Sequence, residues 1–537
     1  MQPLPTPEEM SRWDHAAIER GIPEFTLMEN AAREAMHVLR GLVGNVEKRR
    51  ILLFMGGGNN GGDAACLARH LHDAGAETLV LHTRPLKVYK GTTGRHLRLA
   101  RSCGVQFAPA SGWPEHFRST AWHPAFSGDA APGPDIVVDG LLGTGFSGEL
   151  RSRELELVRS INGLSTRAFI FAIDIPSGLS GFTGRPCPEA VRARATVTFE
   201  AAKPGLVLPE AALFTGSLHV RPIGMPRLVR ETLPPSFQLI GQELGARLSS
   251  PSPDCHKGTA GSVLIIGGSE GLVGAPHLAA RAALRTGAGL VSIAAPAELC
   301  RDLKADCPDI MTRPLGPRGT TAWSPALLQD LLPLFATCDA LVLGPGLGRS
   351  PETIAFVHAC LTQKRPRTVL DADALHALAA APKSMTQLTP LDVLTPHPGE
   401  AAALLGITAA QIQLDRFGAL SGLRKLAHAV WILKGAGTLV GAPGSPVAIS
   451  PFAVPNLAVG GSGDVLAGCL GALLARLQGE PDAMLAACLA VLIHAKAGMQ
   501  LAQRFPERGN TASEIAEALP RVLAELRSVS PDKRGRL

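Results

Sequence analysis

Short apolar runs alternate with alanine- and leucine-rich stretches along both halves of the 537-residue chain. Most of the apolar runs end at a cluster of glycine, aspartate or proline. This alternation is typical of mostly parallel sheets that are flanked by helices, so we predict an α/β fold. In such sheets ligands bind beyond the carboxyl ends of the strands, and functional residues are expected there. The predicted strands of the first half are 50–55, 78–82, 136–139, 168–173, 195–199 and 217–220.

The length of the chain predicts two domains, because a single domain has about 100 to 200 residues. The alternation fades between residues 222 and 253, where RPIGMP, LPPS and SSPSP occur. We therefore predict a boundary near Leu233, with domains of residues 1–232 and 233–537. The predicted strands of the second half are 262–266, 290–294, 340–343, 368–370, 393–395 and 431–433.

Composition and charge limit the classes of partner that we expect for this chain. The net charge of +6 is spread along the chain without a long Lys/Arg block, which argues against a nucleic-acid partner. The ten cysteines show no CxxC spacing, which is typical of reduced structural thiols. The most apolar segment, 484–493, is too short to span a bilayer, and the N-terminus lacks the features of a signal peptide. We expect a cytoplasmic homo-oligomer that acts on small molecules, with no nucleic-acid or membrane partner.

The strand RRILLFM leads into the glycine-rich sequence GGGNNGGD (56–63), and a helix is predicted around 67–74. Glycines bring backbone amides close to an anion at a helix N-terminus, so a phosphate-bearing ligand fits this element. A simple tight turn is the alternative for this motif alone. Asp139 and Asp174 each end a later strand. Either could be a helix cap or turn former, but three such elements at one sheet edge favour a binding site.

The motifs LMENAA, GGGNNGGD, VDGLLGTGF and DIPSGL, in this order, resemble those of NAD(P)H-hydrate epimerases over essentially the whole first half. The resemblance implies a Rossmann-like three-layer sandwich, a potassium ion held by Asn60, Asp139 and Ser177, and a dinucleotide hydrate that contacts two loops and Asp174. Hard oxygen ligands suit such a cation. The implied loop contacts are Asn59, Asn60, Gly61, Gly62, Asp63, Gly143, Thr144, Gly145, Phe146, Ser147, Gly148 and Glu149.

Epimerisation must invert C6 of the hydrated nicotinamide ring, which needs a positioned acid or base. No histidine lies in these motifs, so we predict that Asp174 transfers the proton. Lys203, in EAAKPGL, would polarise the ring substituents or bind phosphate; the alternative is an ordinary surface lysine. Ala32 and Ala64 stand where the family commonly has glycine, and would tighten the loop.

The sequence GGSGD (460–464) directly precedes the apolar stretch VLAGCLGALLARL. Small residues expose backbone amides at the positive end of a helix, and Asp464 would face a nucleophile near a transferring phosphoryl group. A glycine turn that caps the end of a helix is the alternative. Five further motifs accompany it: HKGTAGSVLIIGGS (256–269), LGPGLG (343–348), LDADAL (370–375), TPHPGE (395–400) and LKGAGTLV (433–440).

Together these motifs closely resemble those of the ADP- or ATP-dependent NAD(P)H-hydrate dehydratases, which belong to the ribokinase-like superfamily. The resemblance implies a ribokinase-like α/β domain in which the C6 hydroxyl is phosphorylated and the phosphate then leaves. Asp464 would be the base, and Mg²⁺ is expected with ADP or ATP. The implied substrate contacts are Ala260, Gly346, His397 and Asp464, and the implied nucleotide contacts are Lys434, Gly435, Ala436, Gly437, Thr438 and Gly463.

Several residues keep a structural alternative. His397 lies in a proline-rich turn, and Asp371 and Asp373 are either a helix-cap pair or a metal–water relay. Val459 stands where the family often has threonine, which would lower nucleotide affinity.

Two functions remain open for the whole chain. The first is repair of the C6 hydrates of NADH and NADPH, by epimerisation and by dehydration of the S epimer at the expense of ADP or ATP. The alternative is a ribokinase-like small-alcohol kinase fused to a non-catalytic binding module. The presence of both Asp139 and Asp174 favours the first.

Overall fold

The computed structural model describes residues 1–111, 133–248, 250, 252–305, 307–476 and 483–528. The described residues divide into two compact units, one of Pro3–Gln238 and one of 239–528, to which Met1 and Gln2 also belong. This division and the predicted boundary after residue 232 differ by residues 233–238. Both units are α/β, as the alternation predicts.

The first unit contains a seven-stranded parallel sheet with the order β4-β3-β2-β5-β6-β7-β8. Its predicted strands are confirmed to within one residue at each end. Gln106–Pro109 was not predicted; it is an edge strand that ends at a proline, and its side chains are not buried. The strands of this sheet are β2 (Arg50–Met55), β3 (Glu77–His82), β4 (Gln106–Pro109), β5 (Ile136–Gly140), β6 (Phe169–Ile173), β7 (Ala195–Phe199) and β8 (Ser217–Arg221). The short strand β1 (Gln2–Pro3) belongs to the other sheet.

Helices cover both faces of this sheet. Successive side chains of β2 enter two separate hydrophobic clusters: Ile51, Leu53 and Met55 belong to one, and Leu52 and Phe54 to the other. Because alternate residues of a strand point to opposite faces, both faces are buried and the predicted three-layer sandwich is confirmed. The helices are α1 (Pro7–Glu19), α2 (Glu24–Val43), α3 (Asn59–Asp73), α4 (Gly91–Ser102), α5 (Ser152–Gly163), α6 (Ala212–Thr215) and α7 (Arg227–Thr232).

Helix α3 begins eight residues earlier than predicted, at Asn59, so the NNGGD sequence is its first turn rather than a loop. A Cβ atom on Gly61 would lie 2.1 Å from the backbone oxygen of Gly56, and one on Gly62 would lie 2.6 Å from the side chain of Met28. These glycines therefore permit close packing at the start of the helix.

Ala32 and Ala64 are both fully buried in the hydrophobic core. Ala64 lies inside α3, and a Cβ atom on Gly140 would lie 2.6 Å from its own Cβ. The extra methyl group therefore faces the sheet, and the prediction that it tightens a loop is wrong.

The larger unit contains most of an eleven-stranded sheet. From β12 to β16 neighbouring strands are parallel, whereas β17 and β18 pair antiparallel. Its predicted strands are confirmed to within two residues. The remaining strands are β9 (Phe237–Leu239), β10 (Ser262–Ile266), β11 (Leu290–Pro296), β12 (Met311–Leu315), β13 (Ala340–Leu343), β14 (Arg367–Leu370), β15 (Val393–Leu394), β16 (Val430–Leu433), β17 (Leu439–Gly441) and β18 (Val447–Ile449). The order is β1-β9-β18-β17-β16-β15-β14-β13-β10-β11-β12.

The helix that follows GGSGD begins at Ser462 and packs closely on α8: a Cβ atom on Gly468 would lie 1.9 Å from the backbone oxygen of Ala279. The last residue of the predicted stretch, 477, lies outside the described residues. The helices of this unit are α8 (Gly274–Thr286), α9 (Cys300–Lys304), α10 (Leu328–Phe335), α11 (Pro351–Leu361), α12 (Asp373–Ala380), α13 (Pro398–Leu405), α14 (Ala409–Leu414), α15 (Arg416–Leu426), α16 (Ser462–Arg476), α17 (Ala483–Arg504) and α18 (Ala512–Arg527).

The apolar segment 484–493 is part of α17, which has 22 residues. By length and composition α17 is the one candidate membrane span among the described residues, but 83% of its most apolar window is buried inside the structure. A buried core helix of a globular domain has the same properties.

Two candidate active sites

The first candidate site lies at the carboxyl ends of β2, β5 and β6. β2 is the first strand of its sheet in chain order but lies in the interior, between β3 and β5. The order of the strands therefore reverses here, and ligands bind at such points in open α/β sheets. Asn60 follows β2, Asp139 lies in β5, and Asp174 and Ser177 follow β6.

Three of these residues, predicted as potassium ligands, come together. The backbone N–H and the hydroxyl of Ser177 donate to the two carboxylate oxygens of Asp139 at 2.7 and 2.6 Å. Nδ2 of Asn60 donates to the backbone oxygen of Leu142 at 2.7 Å, and the backbone N–H of Leu142 donates to the Ser177 hydroxyl at 2.9 Å. Oδ1 of Asn60 is buried and accepts no hydrogen bond from the described residues. Burial raises the pKa of Asp139 to about 6, against the opposing hydrogen bonds from Ser177.

Asp174 is held by an ion pair at the same sheet edge. Its backbone φ is 62°, a left-handed conformation that is uncommon outside glycine. Nζ of Lys203 lies 2.6 Å from Oδ1 of Asp174, and the hydroxyl of Thr198 donates to the same oxygen at 3.2 Å. Lys203 is 1% exposed, so its interpretation as a surface lysine is wrong.

Two further carboxyl groups lie near this pair. Burial raises the pKa of Asp14, in α1, to about 6; Lys203 lowers it and Asp174 raises it. Burial, reinforced by the charge of Asp174, also holds the pKa of Asp63 well above its usual range. The sequence predicted Asp63 but not Asp14, because no motif surrounds Asp14 and only the fold brings α1 to this edge.

The first residues of the loop after β5, Gly143 and Thr144, lie close to Asp174. The backbone N–H of Thr144 donates to Oδ2 of Asp174 at 3.3 Å, and a Cβ atom on Gly143 would lie 3.3 Å from the same oxygen. Asn59 instead donates from Nδ2 to Oε1 of Glu24 at 3.2 Å. The rest of the predicted loop is exposed apart from Phe146, which packs against the core: Gly145, Phe146, Ser147, Gly148 and Glu149.

The second candidate site lies at the carboxyl ends of β13 to β16. Nζ of Lys434 lies 2.8 Å from Oδ1 of Asp371 and 3.7 Å from Oε2 of Glu400. The hydroxyl of Thr395 donates to Oδ1 of Asp371 at 2.6 Å. Asp371 therefore anchors Lys434.

Asp373 accepts hydrogen bonds from Nε of Arg349 at 2.8 Å and from the backbone N–H of Gly348 at 2.9 Å. Among the described residues no side chain caps the start of α12, which begins at Asp373. The interpretation of Asp371 and Asp373 as a helix-cap pair is therefore wrong.

Asp464 lies in the first turn of α16, which excludes the alternative that GGSGD caps the end of a helix. Burial raises the pKa of Asp464 to about 7, and the charge of Asp371 raises it further while Lys434 lowers it. Burial also raises the pKa of Glu400 to about 7, against the charge of Lys434. Both carboxyl groups thus titrate near neutral pH, as expected of groups that transfer protons.

The loop after β16 carries most of the predicted nucleotide contacts. Gly435 and Gly437 have positive φ values of 137° and 64°, which favour glycine. The guanidinium of Arg416 donates to the backbone oxygens of Leu433, Lys434 and Gly437 at 3.1 to 3.3 Å. Arg416 was not predicted, because it is distant from this loop in sequence and follows no motif.

The other predicted nucleotide contacts lie on or beside this loop. Ala436 is exposed, and the hydroxyl of Thr438 donates to the backbone oxygen of Gly435 at 2.8 Å. A Cβ atom on Gly463 would lie 3.5 Å from Nζ of Lys434, so the structure brings the first turn of α16 to the same place.

His397 and Gly346 also lie at this edge. Nδ1 of His397 accepts hydrogen bonds from the backbone N–H groups of Gly399 and Glu400 at 3.0 and 3.3 Å, which caps α13. His397 therefore has the structural role that was its alternative, while its ring is largely exposed. Gly346 has a φ of 65°, and a Cβ atom there would lie 2.5 Å from the backbone oxygen of Leu272.

Ala260 lies at the opposite edge of the sheet. It precedes β10, and a Cβ atom on the adjacent Gly261 would lie 3.0 Å from Cβ of Ala475, near the end of α16. Asp464 is at the start of that helix, and a helix rises about 1.5 Å per residue, which separates the two positions by about 16 Å. The structure therefore does not bring Ala260 together with Asp464, and its contact with the substrate stays a prediction.

Comparison with known proteins matches each half of the chain to a known family. Residues 263–521 match the family described as NAD(P)H-hydrate dehydratase, and residues 24–205 match the one described as YjeF-related protein N-terminus. The bifunctional NAD(P)H-hydrate repair enzyme Nnr of Moorella thermoacetica is 38% identical over 527 residues, 97% of this chain and 97% of that protein. The chain belongs to the family of bifunctional NAD(P)H-hydrate repair enzymes.

This repair enzyme is also similar to the Nnr protein of Escherichia coli, with 33% identity over 508 residues, 95% of this chain and 91% of that protein. A solved ADP/ATP-dependent NAD(P)H-hydrate dehydratase of Bacillus subtilis is 25% identical and covers 54% of this chain and 98% of its own, with a TM-score of 0.44. The match over nearly the whole chain favours a two-domain repair enzyme, with an epimerase and a dehydratase domain, over the small-alcohol kinase.

Proposed function

We propose that the first site interconverts the two C6 epimers of hydrated NADH and NADPH, and that the second dehydrates the S epimer at the expense of ADP or ATP. The observation that carries this proposal is the placement of Asp464 in the first turn of α16 with a pKa of about 7. A base there can accept a hydroxyl proton near neutral pH, next to backbone amides that stabilise a phosphate.

In the first site Asp174 transfers the proton. Inversion of C6 requires that one of its bonds breaks and forms again on the other face, and each change moves a proton to or from a positioned group. The ammonium of Lys203, 2.6 Å from Asp174, orients that carboxylate. Thr144 contacts the same carboxylate and places the loop after β5 against it, and Asp14 and Asp63 are further acid groups within the site.

Asn60, Asp139 and Ser177 would hold a potassium ion. The fit is supported by Oδ1 of Asn60, which is buried without a hydrogen-bond donor among the described residues, and by the charge of the buried Asp139. Oxygen ligands of this kind suit a hard cation. When bound, the ion would neutralise Asp139 and fix the ends of β2, β5 and β6 relative to one another.

In the second site Asp464 accepts the proton of the C6 hydroxyl as the phosphoryl group is transferred. The phosphate then leaves as the ring nitrogen donates electrons, and loss of a proton from C5 restores the ring double bond. Lys434 supplies positive charge for the nucleotide phosphates, and the loop from Gly435 to Thr438 binds the nucleotide in the conformation that Arg416 stabilises. Mg²⁺ would accompany the nucleotide, with carboxylate oxygens of Asp371 and Glu400 nearby as hard donors. His397 and Gly346 would contact the hydrate.

The test is to incubate the full-length protein with a chemically prepared mixture of both hydrate epimers, Mg²⁺, and ADP or ATP. We expect the absorbance of reduced nicotinamide to return completely with a nucleotide. Without one, chromatography should show the epimers interconverting with no net loss. Failure of the absorbance to return with either nucleotide would contradict the proposed dehydratase, and failure of the epimers to interconvert would contradict the epimerase.

A further inference from the structure

A cluster of possible metal ligands lies in the first unit, among side chains that the proposed reaction does not use. Glu29 comes from α2, Cys66 and His70 are one turn apart on α3, and His96 comes from α4. One ligand atom each from Glu29, Cys66 and His70 lies within 4.8 Å of the others. Nδ1 of His96 lies 3.8 Å from Oε2 of Glu29. Three helices therefore converge on one carboxylate.

His96 is the unusual member of this cluster. It is 1% exposed, and neither ring nitrogen makes a hydrogen bond of normal geometry with the described residues. Burial lowers its pKa, against the charge of Glu29 and the backbone of Phe25, which favours the neutral ring, whose free nitrogen can offer a lone pair. A buried ring nitrogen without a hydrogen bond of normal geometry is destabilising, and a bond to a metal ion would satisfy it.

The distances suit a tetrahedral ion. With zinc–ligand bonds of about 2.0 to 2.3 Å, the ligand atoms of such a site lie about 3.3 to 3.8 Å apart. Here Sγ of Cys66 is 3.2 Å from Oε2 of Glu29 and Nε2 of His70 is 2.9 Å from Oε1, slightly closer than in such a site, and Nδ1 of His96 is 3.8 Å from Oε2. We propose that Glu29, Cys66 and His70 form a site for a divalent transition-metal ion that favours sulfur and imidazole ligands, such as Zn²⁺, and that the His96 ring moves toward it as the fourth ligand.

The guanidinium of Arg69 lies among the proposed ligand atoms. One terminal nitrogen of its guanidinium lies 2.6 and 2.8 Å from the oxygens of Glu29, 3.2 Å from Nε2 of His70 and 3.9 Å from Sγ of Cys66. A cationic group therefore already lies among the ligand atoms. The Arg69 side chain is 20% exposed, which gives it a path toward solvent when an ion replaces it and the Cys66 thiol loses its proton.

Zinc and cobalt binding to the full-length protein test this proposal, after metals have been removed by dialysis against a chelator. The variants are Cys66→Ser and, in case that core change prevents folding, His70→Gln, whose side chain is 22% exposed. Cys103→Ser is the matched control, because Cys103 is an exposed cysteine on another element. We expect one Zn²⁺ per chain in the wild type and the control, and at least about 100-fold weaker binding in both test variants.

Cobalt gives a signature of sulfur ligation. Bound Co²⁺ should show sulfur-to-metal charge-transfer absorption that Cys66→Ser loses and Cys103→Ser keeps. Arg69→Gln removes the competing cation and should tighten zinc binding about fivefold. Equal zinc binding in the wild type and His70→Gln, or cobalt absorption that survives Cys66→Ser, would overturn the proposal and leave the cluster as an internal ion pair. Weaker zinc binding in Arg69→Gln would equally contradict the assigned role of Arg69.

Discussion

Nζ of Lys203 lies 2.6 Å from Oδ1 of Asp174, and the lysine is almost completely buried. The hydroxyl of Thr198 contacts both groups, at 2.7 Å from the lysine and 3.2 Å from the aspartate. An ion pair in such surroundings is weak evidence for stability, because desolvation offsets much of the attraction. Here the ion pair orients Asp174: Lys203 holds Oδ1, and Oδ2 faces the loop after β5.

The first prediction concerns Asp174→Ala. The dehydratase should still consume its own epimer, while the other epimer disappears only at the slow spontaneous rate of interconversion. Progress curves on the mixed substrate should become biphasic, and additional ADP or ATP should not restore a single phase. Chromatographic separation of the epimers gives the readout, and Asp73→Ala, an exposed change in the same unit, is the control. Both epimers vanishing together in Asp174→Ala would contradict the assignment.

The second prediction concerns Asp464→Asn, which removes a base but conserves shape. Dehydration should fall by about 100- to 10,000-fold, whereas nucleotide binding and epimerisation should remain near normal. Steady-state rates and nucleotide titrations provide the measurement. Asp302→Asn, an exposed change in the same unit, should behave as the wild type. Near-normal dehydration by Asp464→Asn would show that another group accepts the proton.

The third prediction follows from the pKa of Asp464, which burial raises to about 7. A base must be deprotonated to act, so kcat/KM for dehydration should fall as the pH drops below about 7. The nearby charge of Glu400 raises the pKa of Asp464. In Glu400→Gln this repulsion is absent, and the acid limb of the pH profile should move to lower pH. A limb that stays in place would mean that the two carboxyl groups are not coupled.

The fourth prediction concerns potassium. Added KCl, with ionic strength held constant by choline chloride, should raise the Tm of the first unit at pH 8, because the ion binds the charged form of Asp139. The pKa of this buried carboxyl is raised to about 6, so the effect should disappear as the pH falls to 5.

Without potassium the sign is opposite. The folded state binds a proton at Asp139 that the unfolded state releases at its ordinary pKa of 3.8, so this group adds stability as the pH falls through about 6. Asp139→Asn should abolish both effects. A potassium-dependent Tm in that variant would contradict the predicted ligand set.

The fifth prediction concerns the division of the chain. Nε1 of Trp13 donates to the backbone oxygen of Leu233 at 2.8 Å, and Ser236 donates to Glu9 through its hydroxyl at 2.6 Å. A fragment of residues 1–238 should therefore be more stable than one of residues 1–232, by about 1 to 3 kcal/mol for the partner that Trp13 loses. Urea unfolding measures this difference. Equal stability would mean that residues 233–238 do not stabilise the first domain, which would agree with the predicted boundary after residue 232. We also expect fragments 1–238 and 239–537 to be active when they are expressed apart.

The local sequence pattern was sufficient to predict much of the secondary structure of this protein. Apolar runs and the glycines that end them predicted twelve strands to within two residues, because β-structure in a buried parallel sheet leaves a continuous apolar signal. The same pattern placed Asp139 at a strand end, Asp174 just beyond one, and Asp464 at the start of a helix. The predicted α/β class depends on that order alone. Edge strands such as Met311–Leu315, which contains a proline, leave a weaker signal and were missed.

Tertiary structure alone decided which of these residues meet. Sequence does not show that the strand order reverses beside β2, that Lys203 points inward to Asp174, or that Arg416 binds the loop after β16. Nor does it show that Ala260 lies at the opposite sheet edge from Asp464. The physical reason is that hydrophobic periodicity is a property of neighbouring residues, whereas the order of strands and the burial of single polar side chains depend on contacts between residues far apart in the chain.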